Sequence, residues 1–228
     1  MKAMNKSFAL NLVVASLLFV SCDSMLNGNK ESEIPELEDS LEPIEEVILI
    51  EGAENSILTV NMNRNKEAYF SIQLDNIESN GIIDNSEYDA WCIDVWKKID
   101  SNNGSYQNIE LYSTYLVRQW KPVNYLLNIQ QELQSQDPEL TWLEIQLAIW
   151  TLRKYPEFDL ESVALKDLPG QFRNGDQPTF KAEKVKEILN LVEANYRDFD
   201  YDRKGTKFAV VAKMPLEVQT VIMIVENN

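Results

Sequence analysis

Two side chains, Cys92 and Gln146, carry the residue types and surroundings from which chemistry could be built. A cysteine reacts as its thiolate, so local charge and access control whether it is a nucleophile. Cys92 lies in the run Tyr88-Asp89-Ala90-Trp91-Cys92-Ile93-Asp94-Val95-Trp96, which reads as a strand. Alternation places Ala90, Cys92, Asp94 and Trp96 on one face and Trp91, Ile93 and Val95 on the other. A carboxylate beside the thiol opposes its ionisation and offers a place for a proton, which makes Asp94 a candidate proton relay. On a following helix, Trp142, Ile145, Gln146, Ile149 and Leu152 recur at spacings of three and four, so Gln146 interrupts an apolar stripe. An amide buried there must find hydrogen-bond partners or take part in chemistry.

Other chemistries drop out on composition. The 228 residues contain no histidine, which removes Ser-His-Asp and Cys-His catalysis, His-containing zinc sites and imidazole switches. The seven glycines are scattered and form no phosphate loop. No cofactor and no metal site is expected. The formal net charge of -16 argues against nucleic acid and anionic membrane surfaces as partners.

The N-terminus reads as an export signal. A short cationic start with Lys2 and Lys6 precedes an apolar run over residues 8–20, too short for a stable membrane span. The run ends in Phe19-Val20-Ser21-Cys22, and a small residue directly before a cysteine resembles the lipobox of exported bacterial lipoproteins. Residues 1–21 are then a cleaved signal peptide, and Cys22 is the lipidated first residue of the mature chain. Cleavage removes the two lysine charges, taking -16 to -18. Residues 22–46 are acidic and poor in large apolar groups, a flexible tether between lipid and domain. With Cys22 acylated, Cys92 has no partner for an intramolecular disulfide.

Residues 47–228 make the domain. Strand-like runs cover 47–50, 57–62, 68–74, 88–96 and 109–115, with a loop over 101–105. A helical insert over 120–196 follows. Its first helix begins near Pro122, and its second is opened by a capping box of Thr141 and Glu144 and ends near Tyr155. Its third helix runs from about Lys181 to Tyr196. Closing strands lie over 206–212 and 218–225. Strands, helices, then strands predict an α+β fold, an antiparallel β-sandwich or barrel interrupted or capped by the helical insert.

Two short motifs in this frame resemble a known family. Trp91-Cys92-Ile93-Asp94 is similar to the strand motif, aromatic or Leu then Cys, of bacterial thioester domains, and Ile145-Gln146-Leu147-Ala148-Ile149-Trp150 to their helical Gln motif. Pro122-Val123-Asn124-Tyr125-Leu126-Leu127-Asn128 resembles a stretch that often lies between them, and the likeness extends over about residues 69–225. The resemblance implies an internal thioester joining the Cys92 sulfur to the Gln146 side-chain carbonyl, formed with loss of ammonia. An amine or hydroxyl on another molecule would displace the sulfur and leave a covalent tether. Trp91, Trp142 and Trp150 would keep water out until a target docks. The implied protein is a non-enzymatic adhesion lipoprotein, held in the membrane by its N-terminal lipid at the outer membrane or cell surface. Its implied partner is a host or neighbouring-cell surface protein or glycan.

Alternatives remain. The same fold without the bond would be a noncovalent binding or structural envelope module, with Cys92 a small buried hydrophobe and Gln146 bonding backbone. Acid pairs drawn from Asp89, Asp94 and Glu144 would suit glycoside hydrolysis, although Asp89 and Asp94 fall on opposite strand faces. Trp96 and Trp120 would suit a sugar platform, and residues 198–202 calcium, but the latter lack the glycine turn and distal glutamate of an EF-hand loop.

Overall fold

A computed structural model describes residues 47–227; the signal peptide, the lipidation site at Cys22 and the tether expected from sequence lie outside the described residues. The chain forms β1 (Ile48–Leu49), β2 (Ser56–Met62), β3 (Phe70–Asp75), β4 (Glu87–Cys92) and β5 (Asn102–Ser113) before the helices. Then come α1 (Lys121–Gln136), α2 (Trp142–Arg153), a small hairpin of β6 (Arg173–Asn174) and β7 (Gln177–Pro178), and α3 (Ala182–Asn195). β8 (Lys207–Lys213) and β9 (Val221–Glu226) close the fold.

Six antiparallel strands form a closed barrel in the order β5-β2-β3-β4-β9-β8 and back to β5, with β1 added alongside β5. Closure is possible because β5 is twelve residues long. Its first part pairs with β2, and its last four residues pair with β8. Closure gives each of the six strands two neighbours, but not always along its full length, so stretches of β4 and β8 keep an unpaired side. In β2 and β3 the period-2 pattern is clean: Leu58, Val60, Phe70, Ile72 and Leu74 are buried, while Thr59, Ser71 and Gln73 are part-exposed. Register places Leu58 opposite Leu74, Val60 opposite Ile72, and Phe70 opposite Ala90, so the apolar rows run across the sheet.

The α+β architecture expected from sequence is the one observed, with four local differences. β4 ends at Cys92 instead of running to Trp96. β3 begins at Phe70, opposite Ala90, so β4 loses its neighbour on that side and bends away. The loop expected over 101–105 is instead the start of β5. Asn103 adopts a positive φ of 59° where the β2 register shifts, and a Cβ on Gly104 would lie 2.2 Å from the Asp100 carbonyl oxygen. The second helix is buried almost all round rather than along one stripe, because Glu144, Leu147, Ala148 and Arg153 are buried as well. The last strand starts at Val221, three residues later than its apolar run suggests.

The helices supply what strand neighbours do not. β5 ends at Ser113, opposite Val210, so the earlier part of β8 has no strand partner on that side. Two asparagines one turn apart on α1 take its place. Asn124 Oδ1 accepts from the Ala209 N–H at 3.0 Å. Asn128 donates to the Lys207 carbonyl and accepts from the Lys207 N–H, both at 2.7 Å. A primary carboxamide presents one acceptor and one donor side by side, the same pair a strand residue offers its neighbour. α2 is fixed at its start by the expected capping box, in which Glu144 accepts from the Thr141 N–H and the Thr141 hydroxyl accepts from the Leu143 N–H. The other Glu144 oxygen accepts from the Lys181 N–H just before α3, tying α2 to α3.

Candidate functional site

The second open strand edge is at Cys92. Its N–H donates to Gln146 Oε1 at 2.9 Å, and its carbonyl accepts from Gln146 Nε2 at 2.7 Å. Both residues have zero exposure. The neighbouring Ile93 N–H turns the other way, to the Thr220 carbonyl beside β9, as alternation along a strand requires. Gln146 therefore occupies the position that an extended β3 would fill. The structure brings together the two residues singled out from sequence, residues 54 positions apart in the chain.

The Cys92 sulfur sits in the bend that follows β4. It donates to the Asp94 carbonyl at 3.1 Å and accepts from the Asp94 N–H at 3.3 Å. The Asp94 side chain points elsewhere, to an ion pair with Lys97 at 2.7 Å in which the two side chains are 1% and 4% exposed. Asp94 thus meets the sulfur through its main chain, while its carboxylate acts on the thiol through charge alone. It does not extend a strand face shared with Cys92, since the strand has already ended.

Burial pushes the Cys92 thiol well above its ordinary range, and the Asp94 carboxylate adds to this. The Asp94 N–H, the Trp150 indole and the Lys97 ammonium act in the opposite direction. The Trp150 indole N–H is buried and makes no well-formed hydrogen bond among the described residues, so it acts on the thiol as a nearby dipole. Burial, and then the neighbouring Cys92, likewise raise the Tyr69 phenol.

A cluster of aromatic rings lies beside the pair, with the Tyr69 phenol and the Trp150 indole near enough to interact with the Cys92 thiol. Tyr69 stacks on Trp142 with centroids 4.8 Å apart. Phe172 packs against Trp142 at 5.6 Å and Trp150 at 5.1 Å, and Phe158 lies 5.4 Å from Trp150. Trp142 and Trp150 are both buried in this ring cluster, while Trp91 is buried on the opposite face of β4. Neither Phe158 nor Phe172 stood out in the sequence, because both come from the irregular stretch between α2 and the β6–β7 hairpin. Tyr69 also borders a cleft of about 400 Å³ whose lining includes Val95, Trp96, Lys97, Leu168 and Gln171.

No family model, no curated protein and no solved structure matches this chain.

The remaining candidates serve the fold. Glu144 is 1% exposed and spends its oxygens on the cap and on Lys181. Asp89 accepts from Asn63 Nδ2 at 2.8 Å on the part-exposed side of β4, away from Cys92. Trp120 is 1% exposed with the Arg153 guanidinium 4.7 Å from its ring centroid, so it cannot join Trp96 in a sugar platform. In the acidic loop, the Asp202 carboxylate accepts from the Tyr115 hydroxyl, and Asp200 accepts from the Asp202 N–H. The residues that sequence reading passed over are Asn124, Asn128 and Lys97. The i, i+4 asparagines beside the apolar stripe of α1 were the available signal for the first two.

Proposed function

We propose that Cys92 and Gln146 form an internal thioester and that the domain attaches covalently to a target amine or hydroxyl. The observation that carries this reading is the Gln146 carboxamide held by two hydrogen bonds against Cys92, both residues without exposure, beside a cluster of aromatic rings. The Cys92 sulfur attacks the Gln146 side-chain carbonyl carbon and a carbon–sulfur bond forms. The carbon–nitrogen bond breaks, and the thiol proton leaves with the nitrogen as ammonia. Charge that develops on Oε1 is met by the Cys92 N–H, a fixed donor in a dry site. The thiol is held neutral by burial, so the proton must move as the sulfur attacks.

Displacement by a target then leaves the target acylated by Gln146 and the Cys92 thiol free. This is a single event per molecule, adhesion rather than turnover. With Cys22 lipidated, the covalent bond at Gln146 would join a host or neighbouring-cell protein or glycan to the membrane through the acidic tether. Cell-envelope placement, at the outer membrane or cell surface, belongs to the same proposal.

Intact mass of the purified domain tests it. The wild-type protein is expected to lack one ammonia, Cys92→Ala to retain it, and methylamine to add to the wild type while releasing one titratable thiol. A full-mass wild type, or a deficit that persists in Cys92→Ala, rejects the bond.

One observation favours a second reading, a noncovalent binding or structural envelope module. Asn128 pairs with both main-chain groups of Lys207 as Gln146 does with Cys92, and no cysteine is involved there. On that reading Gln146 only completes a strand edge, and a free Cys92 thiol titrates stoichiometrically in the native protein.

A further inference from the structure

We propose that Lys97 is a positioning residue for the Cys92 leaving group, balancing the negative charge on the sulfur when a nucleophile displaces it from Gln146. The inference rests on the thioester reading. Lys97 is 7% exposed, an uncommon place for an ammonium group. Its Nζ lies 2.7 Å from the Asp94 carboxylate, and the Asp94 main chain brackets the Cys92 sulfur with its N–H at 3.3 Å and its carbonyl at 3.1 Å. One short bend therefore carries the sulfur, a carboxylate and a compensating cation.

The same lysine lines the cleft that Tyr69 borders. Lys97 thus borders a cleft while lying close enough to the sulfur for its charge to act on the thiol. When an amine attacks, the nitrogen–carbon bond forms, the carbon–sulfur bond breaks, and the electron pair goes to sulfur. The proton lost by the amine ends on the sulfur. In the interval the sulfur is negative inside an apolar enclosure, where an unbalanced charge is costly. The groups acting on it are the Asp94 N–H, the Trp150 indole, Lys97 and the Asp94 carboxylate, with the Tyr69 phenol near enough to feel its charge. The first three favour the thiolate, and the Asp94 carboxylate opposes it. Lys97 is the full positive charge in this set.

The experiment measures the rate of thiol release by methylamine, as a function of methylamine concentration, in the full mature chain. Lys97→Met is expected to lower the limiting rate about tenfold with little change in the half-saturating concentration, and Lys97→Arg to restore most of it. Asp94→Asn is expected to move the rate the other way. Removing one partner of a buried pair can unfold a protein, so Asp94→Asn with Lys97→Met, which leaves no orphan charge, is the companion variant. It should fold and release its thiol more slowly than Asp94→Asn alone. A wild type that retains its ammonia ends the thioester reading and this inference with it. An ammonia-deficient wild type whose Lys97 variants all release thiol at the wild-type rate ends only the role given to Lys97.

Discussion

Gln146 is bound to Cys92 through both of that residue's main-chain groups, with Oε1 taking the N–H at 2.9 Å and Nε2 giving to the carbonyl at 2.7 Å. In the Cys92→Ala background, where the Gln146 amide stays intact, Gln146→Ala strands two buried polar groups and opens a cavity. Each unsatisfied group costs about 1–3 kcal/mol, so denaturant unfolding should show a loss of about 2–5 kcal/mol. A loss under about 1 kcal/mol would mean that water reaches this strand edge.

Asn128→Ala is the matched control. It removes the analogous pairing with Lys207, in a part-buried setting where water can substitute for some of the lost bonds. The expected loss is about 1–2 kcal/mol, without any change in ammonia content or in thiol release by methylamine. A change in either would break the separation drawn between edge completion and reactivity.

Free-thiol protein should weaken in alkali. The folded state holds the Cys92 proton beyond the ordinary thiol value of 9.0, chiefly through burial. Stability from this group is therefore fully present below that value. It falls as pH rises above it, because only the unfolded chain gives up the proton, at up to about 1.4 kcal/mol per pH unit. Unfolding at about pH 8 and pH 10 should show this extra loss in methylamine-treated protein and not in Cys92→Ala. Equal losses in the two would place the alkaline sensitivity elsewhere, Tyr69 included.

Glu144→Ala removes the acceptor for the Thr141 N–H, the Thr141 hydroxyl and the Lys181 N–H together. The thermal midpoint should drop by an amount corresponding to about 2–4 kcal/mol, with Glu144→Gln in between. If Thr141→Ala alone matched Glu144→Ala, the link to Lys181 would contribute nothing.

Asp89 is raised above the usual carboxylate value, first by burial and then by Glu67 and Glu87, against the hydrogen bond from Asn63. A raised folded value means the stabilising contribution is complete in acid and is lost as pH rises through it. Asp89→Asn keeps an acceptor for Asn63 and removes that cost. It should stabilise the protein near neutrality by less than about 1 kcal/mol, since the group is half solvated, and the gain should vanish in acid. A loss at neutral pH would show that the charge itself is used.

Much of this protein was determined locally. Alternation wrote β2 and β3, the Thr141–Glu144 box wrote the start of α2, and turn residues divided the chain into strands, helices and strands. These signals depend on neighbours within a few positions, so they survive in the sequence. Cys92 and Gln146 also stood out, each as a residue out of character with the face expected for it.

What only the tertiary structure decided is where strands stop and what lies beside them. β4 ends at Cys92 because β3 begins only at Phe70, and a pairing limit of that kind is not written in the β4 segment itself. Once the strand ends there, Asp94 turns toward Lys97 instead of lying beside the sulfur, and Gln146 arrives from a helix 54 positions away to fill the open edge. Sequence could mark a thiol and an amide as unusual. Bringing the amide onto the Cys92 main chain required the tertiary fold, because a strand edge left open in a buried place must be satisfied by whatever side chain the next layer presents.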